Sequence, residues 1–133
     1  MKLYLKTAFV FTYLILLVIA GCSSNDDNVS TYESELAQLS LLKADIETLA
    51  NASVCSEDFE CKFIALGKKP CGGPWSYLIY TTSINVEELQ AAIKDYNQKE
   101  SDFNVKWNIP SDCALTIRPT GVTCENNTCV LVY

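Results

Sequence analysis

Hydrophobic and polar positions follow three different patterns along this chain, and each pattern predicts a different element. From Thr7 to Ala20 the residues are almost all apolar (TAFVFTYLILLVIA), behind a positive start at Lys2 and Lys6. A helix crossing the hydrocarbon core needs about 20 such residues. This shorter run with a charged front fits the core of a signal peptide, residues 1–21. Residues 22–29 (CSSNDDNV) are polar and short, and are read as a flexible tether. The pattern then becomes helical over 30–53. Tyr32, Leu36, Leu39, Leu42, Ile46 and Leu49 recur at spacings of three and four, and Ser30 with Glu33 has the form of a capping box. The stripe could serve a partner helix, but packing on its own domain is the stronger expectation.

Residues 55–133 carry shorter, β-like segments around one further helix. Cys61 to Leu66 predicts a strand, Gly67 to Pro74 is dense in turn residues, and Trp75 to Thr82 (WSYLIYTT) has the aromatic and β-branched content of a second strand. Asn85 and Glu88 are placed to cap a helix, with Ile84 and Leu89 as its staple and Val86, Leu89, Ile93 and Tyr96 as its inner face. That helix is expected to fray into Asn97-Gln98-Lys99-Glu100. The alternation of Phe103, Val105, Trp107 and Ile109 predicts a half-buried extended segment, and Ala114 to Arg118 a strand ended by Pro119. The last residues, GVTCENNTCVLVY, predict a hairpin turning at Asn126-Asn127, since Asn tolerates positive φ. The fold class expected is α+β: a small disulfide-stapled antiparallel sheet with two helices, after the signal peptide and tether.

Cysteine usage sharpens the picture at the N-terminal end. Ile19-Ala20-Gly21-Cys22 resembles the lipobox of bacterial lipoproteins. The resemblance implies cleavage before Cys22 and a diacylglyceryl group on its thiol. Two or more acyl chains hold a membrane stably, at about 0.8 kcal/mol for each buried methylene. Cysteine parity agrees: of seven cysteines, removing Cys22 leaves Cys55, Cys61, Cys71, Cys113, Cys124 and Cys129, an even set. In a mature chain of 112 residues, 133 less the first 21, six cysteines read as three disulfides of an exported domain. The hairpin register sets Cys124 directly opposite Cys129, which makes them the first expected pair. Cys55 with Cys61 and Cys71 with Cys113 would complete the set, among fifteen connectivities open to six cysteines.

Ser23 after the lipidated cysteine, with no Asp there, implies by similarity to known sorting patterns the outer membrane; the SSNDDN run is similar to surface-export signals and implies display at the cell surface. The run Lys69 to Tyr80 (KPCGGPWSYLIY), with Tyr96 to Glu100 (YNQKE), Ser111-Asp112-Cys113 and the Cys124/Cys129 hairpin, resembles a family of small cysteine-rich bacterial lipoproteins. The resemblance covers about residues 55–133. It implies a domain type and carries over no activity.

Charge and composition narrow the functional classes. Losing the leader takes the basic count from 10 to 8 against 16 acidic residues, so the mature net charge is −8. This provides no basic footprint for nucleic acid, and membrane attachment is left to the lipid on Cys22. With no histidine, Ser-His-Asp and Cys-His nucleophile systems and His-ligated metals are excluded. No cofactor is expected. Lys68-Lys69-Pro70-Cys71 could present a protease-binding loop, although turn composition explains it as well. Gly72-Gly73 reads better as a tight turn than as an anion cradle, and Glu87-Glu88 as first-turn acids favoured by the helix dipole. Trp75, Tyr77, Tyr80, Trp107 and Tyr133 are expected in the core rather than in a binding platform. The leading expectation is a lipid-anchored binding protein without catalytic activity, with an unidentified protein or glycan partner. A protease inhibitor acting through Lys68 or Lys69 is second, and a histidine-free carboxylate hydrolase third.

Overall fold

A computed structural model of the chain describes residues 30–133. The expected signal peptide, Cys22 and the expected tether lie outside the described residues. The order of elements is α1 (Tyr32–Asn51), β1 (Cys61–Leu66), β2 (Ser76–Thr81), α2 (Val86–Lys106), β3 (Gly121–Glu125) and β4 (Thr128–Val132). The fold is α+β, as expected, with two separate antiparallel ribbons in place of one sheet: β1 pairs with β2, and β3 with β4.

The two helices form because each has a buried stripe and a capped start. At α1 the cap is Thr31, one residue later than expected: its side chain accepts from the Ser34 amide at 3.2 Å while the Ser34 hydroxyl accepts from the Thr31 amide at 3.0 Å. At α2 the Asn85 side chain accepts from the Glu88 amide at 3.2 Å, as the sequence predicts. Leu39, Ile46 and Ala50 of α1 meet Leu89, Ile93, Tyr96 and Phe103 of α2, with Leu66 and Tyr80 from the first ribbon, in one continuous core. The α1 stripe therefore faces its own domain. Each fully buried Leu or Ile contributes about 1.5–3 kcal/mol, so this cluster outweighs any local propensity.

Two predicted extended segments are corrected. The region expected to fray at Asn97 and then extend through Phe103, Val105, Trp107 and Ile109 is helix as far as Lys106. Phe103 and Trp107 stand four residues apart on one helical face, where both rings meet Tyr32 at 5.3 and 5.5 Å, while Val105 is 80% exposed. Asn108, at φ 48°, closes the helix: the Ile109 amide reaches the Asn104 carbonyl and the Asn108 amide the Val105 carbonyl. Residues 114–118 form no strand and join neither ribbon. Leu115 and Ile117 are instead 95% and 73% exposed.

The terminal hairpin has the predicted turn, with Asn126 and Asn127 at φ 51° and 61°, and the predicted register, Cys124 opposite Cys129. The disulfides differ from expectation. Cys55 bonds Cys124 and Cys61 bonds Cys129, with Cα separations of 6.2 and 5.8 Å; Cys71 bonds Cys113 as predicted. The pairings Cys124–Cys129 and Cys55–Cys61 are thus corrected. Cross-strand neighbours share a face of the hairpin, and here that face lies toward β1 and the segment before it, so each sulfur bonds across layers. These two bonds close loops of 69 and 68 residues, each worth about 4 kcal/mol in the chain-entropy account.

Candidate functional site

The residues between β1 and β2 form a loop laid along a polar face of α2. Asn97, Glu100 and Asn104 stand on that face at spacings of three and four, and all three side chains bond the loop's main chain. The Asn97 side-chain oxygen accepts from the Gly67 amide at 2.7 Å, and its NH₂ donates to the Ala65 carbonyl at 3.5 Å. Glu100 accepts from the Lys68 amide with one carboxylate oxygen and from the Tyr96 hydroxyl, at 2.9 Å, with the other. Asn104 is buried and donates to the Lys68 carbonyl at 2.7 Å. Burial, and then the Glu100 charge, push the Tyr96 phenol well above its ordinary range, so it remains a donor to Glu100.

The loop also closes on itself and on the segment before β3. The Lys69 amide donates to the Gly73 carbonyl and the Gly72 amide to the Lys69 carbonyl, both at 2.9 Å. Gly72 and Gly73 have φ of 94° and 79° with open space around them, which fits the tight turn. Cys71 is bonded to Cys113, and the Thr116 hydroxyl donates to the Pro74 carbonyl at 2.8 Å. Beneath the loop lies a cavity of about 590 Å³ between Lys68–Gly72 and Ser101, Asn104, Val105, Asn108 and Ile109.

The two candidate lysines have different fates. Lys69 is only 8% exposed: its ammonium donates to the Ala114 carbonyl at 2.6 Å and sits 5.1 Å over the Trp75 ring. The Lys68 side chain and Pro70 face solvent. Lys69 is therefore a structural cation, and the expectation that it could be presented to a protease is corrected.

The other sequence candidates do not converge. Tyr80 is in the core, Trp107 packs between the helices and Tyr77 meets Phe63 edge-on at 5.7 Å, but the core expectation is corrected for Trp75, which is exposed with the Lys69 ammonium over its ring, and for the exposed Tyr133. Glu87 and Glu88 occupy the first turn of α2. The sulfurs of Cys55 and Cys61 come within 3.6 Å, and with Cys129 form a cluster within 4.8 Å, but all three are taken up by cross-layer disulfides. At the far end of the helix pair, Glu35 accepts from Lys106, Ser30 and, at 2.8 Å, the Trp107 indole. Those bonds hold its carboxyl down at about 2.

The clamp residues Asn97, Glu100 and Asn104 have a signal in the sequence that the fraying expectation does not use. Polar groups at helical spacing in line with Ile93 and Tyr96 mark a face that meets another backbone. No family model, curated protein or solved structure matches the chain. Among the described residues no helix is long and apolar enough to cross a membrane.

Proposed function

We propose that the protein is a lipid-anchored, non-catalytic binding module of the bacterial envelope, attached through Cys22 to the outer membrane. Its partner-binding surface is formed by the Lys68–Trp75 loop and the adjoining 113–118 segment. The observation that carries this reading is the pairing of a fastened support with exposed apolar side chains. The loop's main chain is held by Asn97, Glu100 and Asn104, its tip is bonded to Cys113, and beside it Leu115 is almost wholly and Ile117 largely in solvent. Exposed apolar groups on a preorganised backbone favour association, because little ordering entropy remains to be lost. The anchor is supported by the lipobox resemblance and by the sulfur count, since the six cysteines after Cys22 pair completely among themselves. The motifs at 69–80, 96–100 and 111–113 support placement among the small cysteine-rich lipoproteins they resemble.

The same geometry disfavours the protease-inhibitor reading. A substrate-like inhibitor pairs its main chain with the protease as an added strand. Here the Lys68 amide and carbonyl are both occupied by α2, and the next side chain is buried.

Two measurements test the proposal. A photoreactive side chain at position 115 of the full-length protein in intact envelopes should give one discrete adduct, lost with Ile117→Glu. Absence of any adduct would remove the surface. Labelled palmitate should enter the wild type and not Cys22→Ser; an unlabelled wild type would remove the anchor.

A further inference from the structure

Charge is distributed unevenly on this acidic protein. Among the described residues, Lys43, Lys62, Lys99 and Lys106 are each paired with a carboxylate, and Lys69 is buried on a carbonyl. Of the three cations left, Lys68 and Lys94 line one groove, where the loop and β1 meet α2. The groove holds about 480 Å³, inside the range of about 300–1,000 Å³ usual for small-ligand sites.

Its lining is chemically selective. Gln90, Lys94 and Gln98 follow one another at four-residue spacing along α2, with Ser101 beyond them, and Ile64 and Ile93 supply apolar surface. No carboxylate lines it. The acids of the neighbouring helical turns are already bonded: Asp95 to Lys99, Glu100 to Tyr96 and the Lys68 amide, and Asp102 to the amide nitrogen of the groove's own Gln98 at 2.9 Å, which leaves the Gln98 carbonyl oxygen and second N–H free. Two cations without an ion-pair partner therefore face a cleft in residues 30–133, where 8 basic residues stand against 14 acidic ones, a net charge of −6.

We propose that this groove binds an anionic oligosaccharide of the uronic-acid kind. Lys68 and Lys94 take the carboxylates, the Gln90 and Gln98 amides and the Ser101 hydroxyl take sugar hydroxyls, and the apolar surface takes a C–H face of the ring. An acidic peptide fits less well. It would add to the free edge of β1, but Asn97 already occupies the Ala65 carbonyl and the Gly67 amide on that edge. The groove shares Lys68 with the loop surface proposed above but does not depend on Leu115 or Ile117.

The test is calorimetric titration of the full-length lipidated protein in detergent with tetragalacturonate. The controls are its neutral methyl ester, tetraglutamate and inorganic phosphate. The charged sugar should bind, less tightly at high salt, and the ester should bind at least about tenfold more weakly, the loss of one charge-assisted contact. Lys68→Gln and Lys94→Gln should each weaken binding by about the same factor while thermal unfolding is unchanged. Leu115→Glu should leave it intact, which separates failure of the groove from failure of the loop surface. Silence with tetragalacturonate, affinity indifferent to both lysine variants, or equal binding of tetraglutamate or phosphate would each overturn the assignment.

Discussion

Gly67 is the point at which the loop comes closest to α2, and it provides a quantitative check on that contact. Its φ is +84°, and a Cβ there would lie 2.6 Å from Trp75 Cδ1 and 2.9 Å from a Glu100 carboxylate oxygen. Alanine therefore meets two separate costs. Holding an L residue in the left-handed region costs about 1–2 kcal/mol. Displacing the indole, or the carboxylate that holds the Lys68 amide and Tyr96 hydroxyl, adds an overpacking cost of about 1–3 kcal/mol. Gly67→Ala should thus destabilise by about 3 kcal/mol, a fall in Tm of roughly 12–24 °C for a domain near 100 residues. Gly72 has the same kind of φ, +94°, with nothing within 4 Å, so Gly72→Ala should show the first cost alone. The assay is thermal and guanidinium unfolding of both oxidised variants, with the difference between them isolating the steric part. Equal destabilisation within about 0.5 kcal/mol would refute the close packing of the loop on the helix.

Phe103→Ala should cost about 3–5 kcal/mol in denaturant unfolding, whereas Val105→Ala, at 80% exposure, should stay within about 0.5 kcal/mol. Similar costs at both positions would restore the alternating extended segment and remove the last turns of α2. Peptide mapping under non-reducing conditions should recover Cys55 with Cys124, Cys61 with Cys129 and Cys71 with Cys113; a Cys124–Cys129 peptide would contradict the cross-layer arrangement. Glu35 titrates near 2 in the folded chain against an ordinary 4.5, so its contribution is complete above pH 4.5 and is lost as pH falls toward 2. Glu35→Gln should flatten stability across that window, more visibly at low salt, and an unchanged acid profile would show that the carboxyl is not held by Lys106.

What could be read from the sequence, and what could not, divides along a physical line. Elements set by local patterning came through: β1 at its observed bounds, the Asn85 cap, the Asn126-Asn127 turn and the Cys124/Cys129 register. Each is decided within a few residues by capping, periodicity or turn chemistry. The errors arose where two periods overlap or where a distant layer decides. Phe103, Val105, Trp107 and Ile109 alternate, yet Phe103 and Trp107 also continue the helical stripe of Ile93 and Tyr96, and the Tyr32 ring of α1 settles the matter. Asn108, followed two residues later by Pro110, was the helix-end signal that would have broken the tie. The disulfide choice depended on which layer covers the hairpin, a fact no local pattern holds.

The site was legible only as fragments, because its parts lie far apart in the chain. The turn-rich stretch 67–75, the polar residues at 97–104 and the segment around Cys113 meet through main-chain groups of the loop. A loop whose own amides and carbonyls are bonded by side chains from a helix is fixed in shape before any partner arrives. That fixation also explains why adjacent lysines part in role. With the Lys68 amide and carbonyl both turned to α2, its side chain is left outward, and the next residue must point inward under the turn closed by Gly73. There Lys69 finds the Ala114 carbonyl and the Trp75 face, and its charge ties the loop to the segment beyond Cys113. Neutralising Lys69 should therefore loosen the 113–118 segment as well as the loop. Proteolysis in that segment should be faster in oxidised Lys69→Met than in Lys68→Met, and equal rates would mean that the Cys71–Cys113 bond and the Thr116 hydroxyl hold the two together without Lys69.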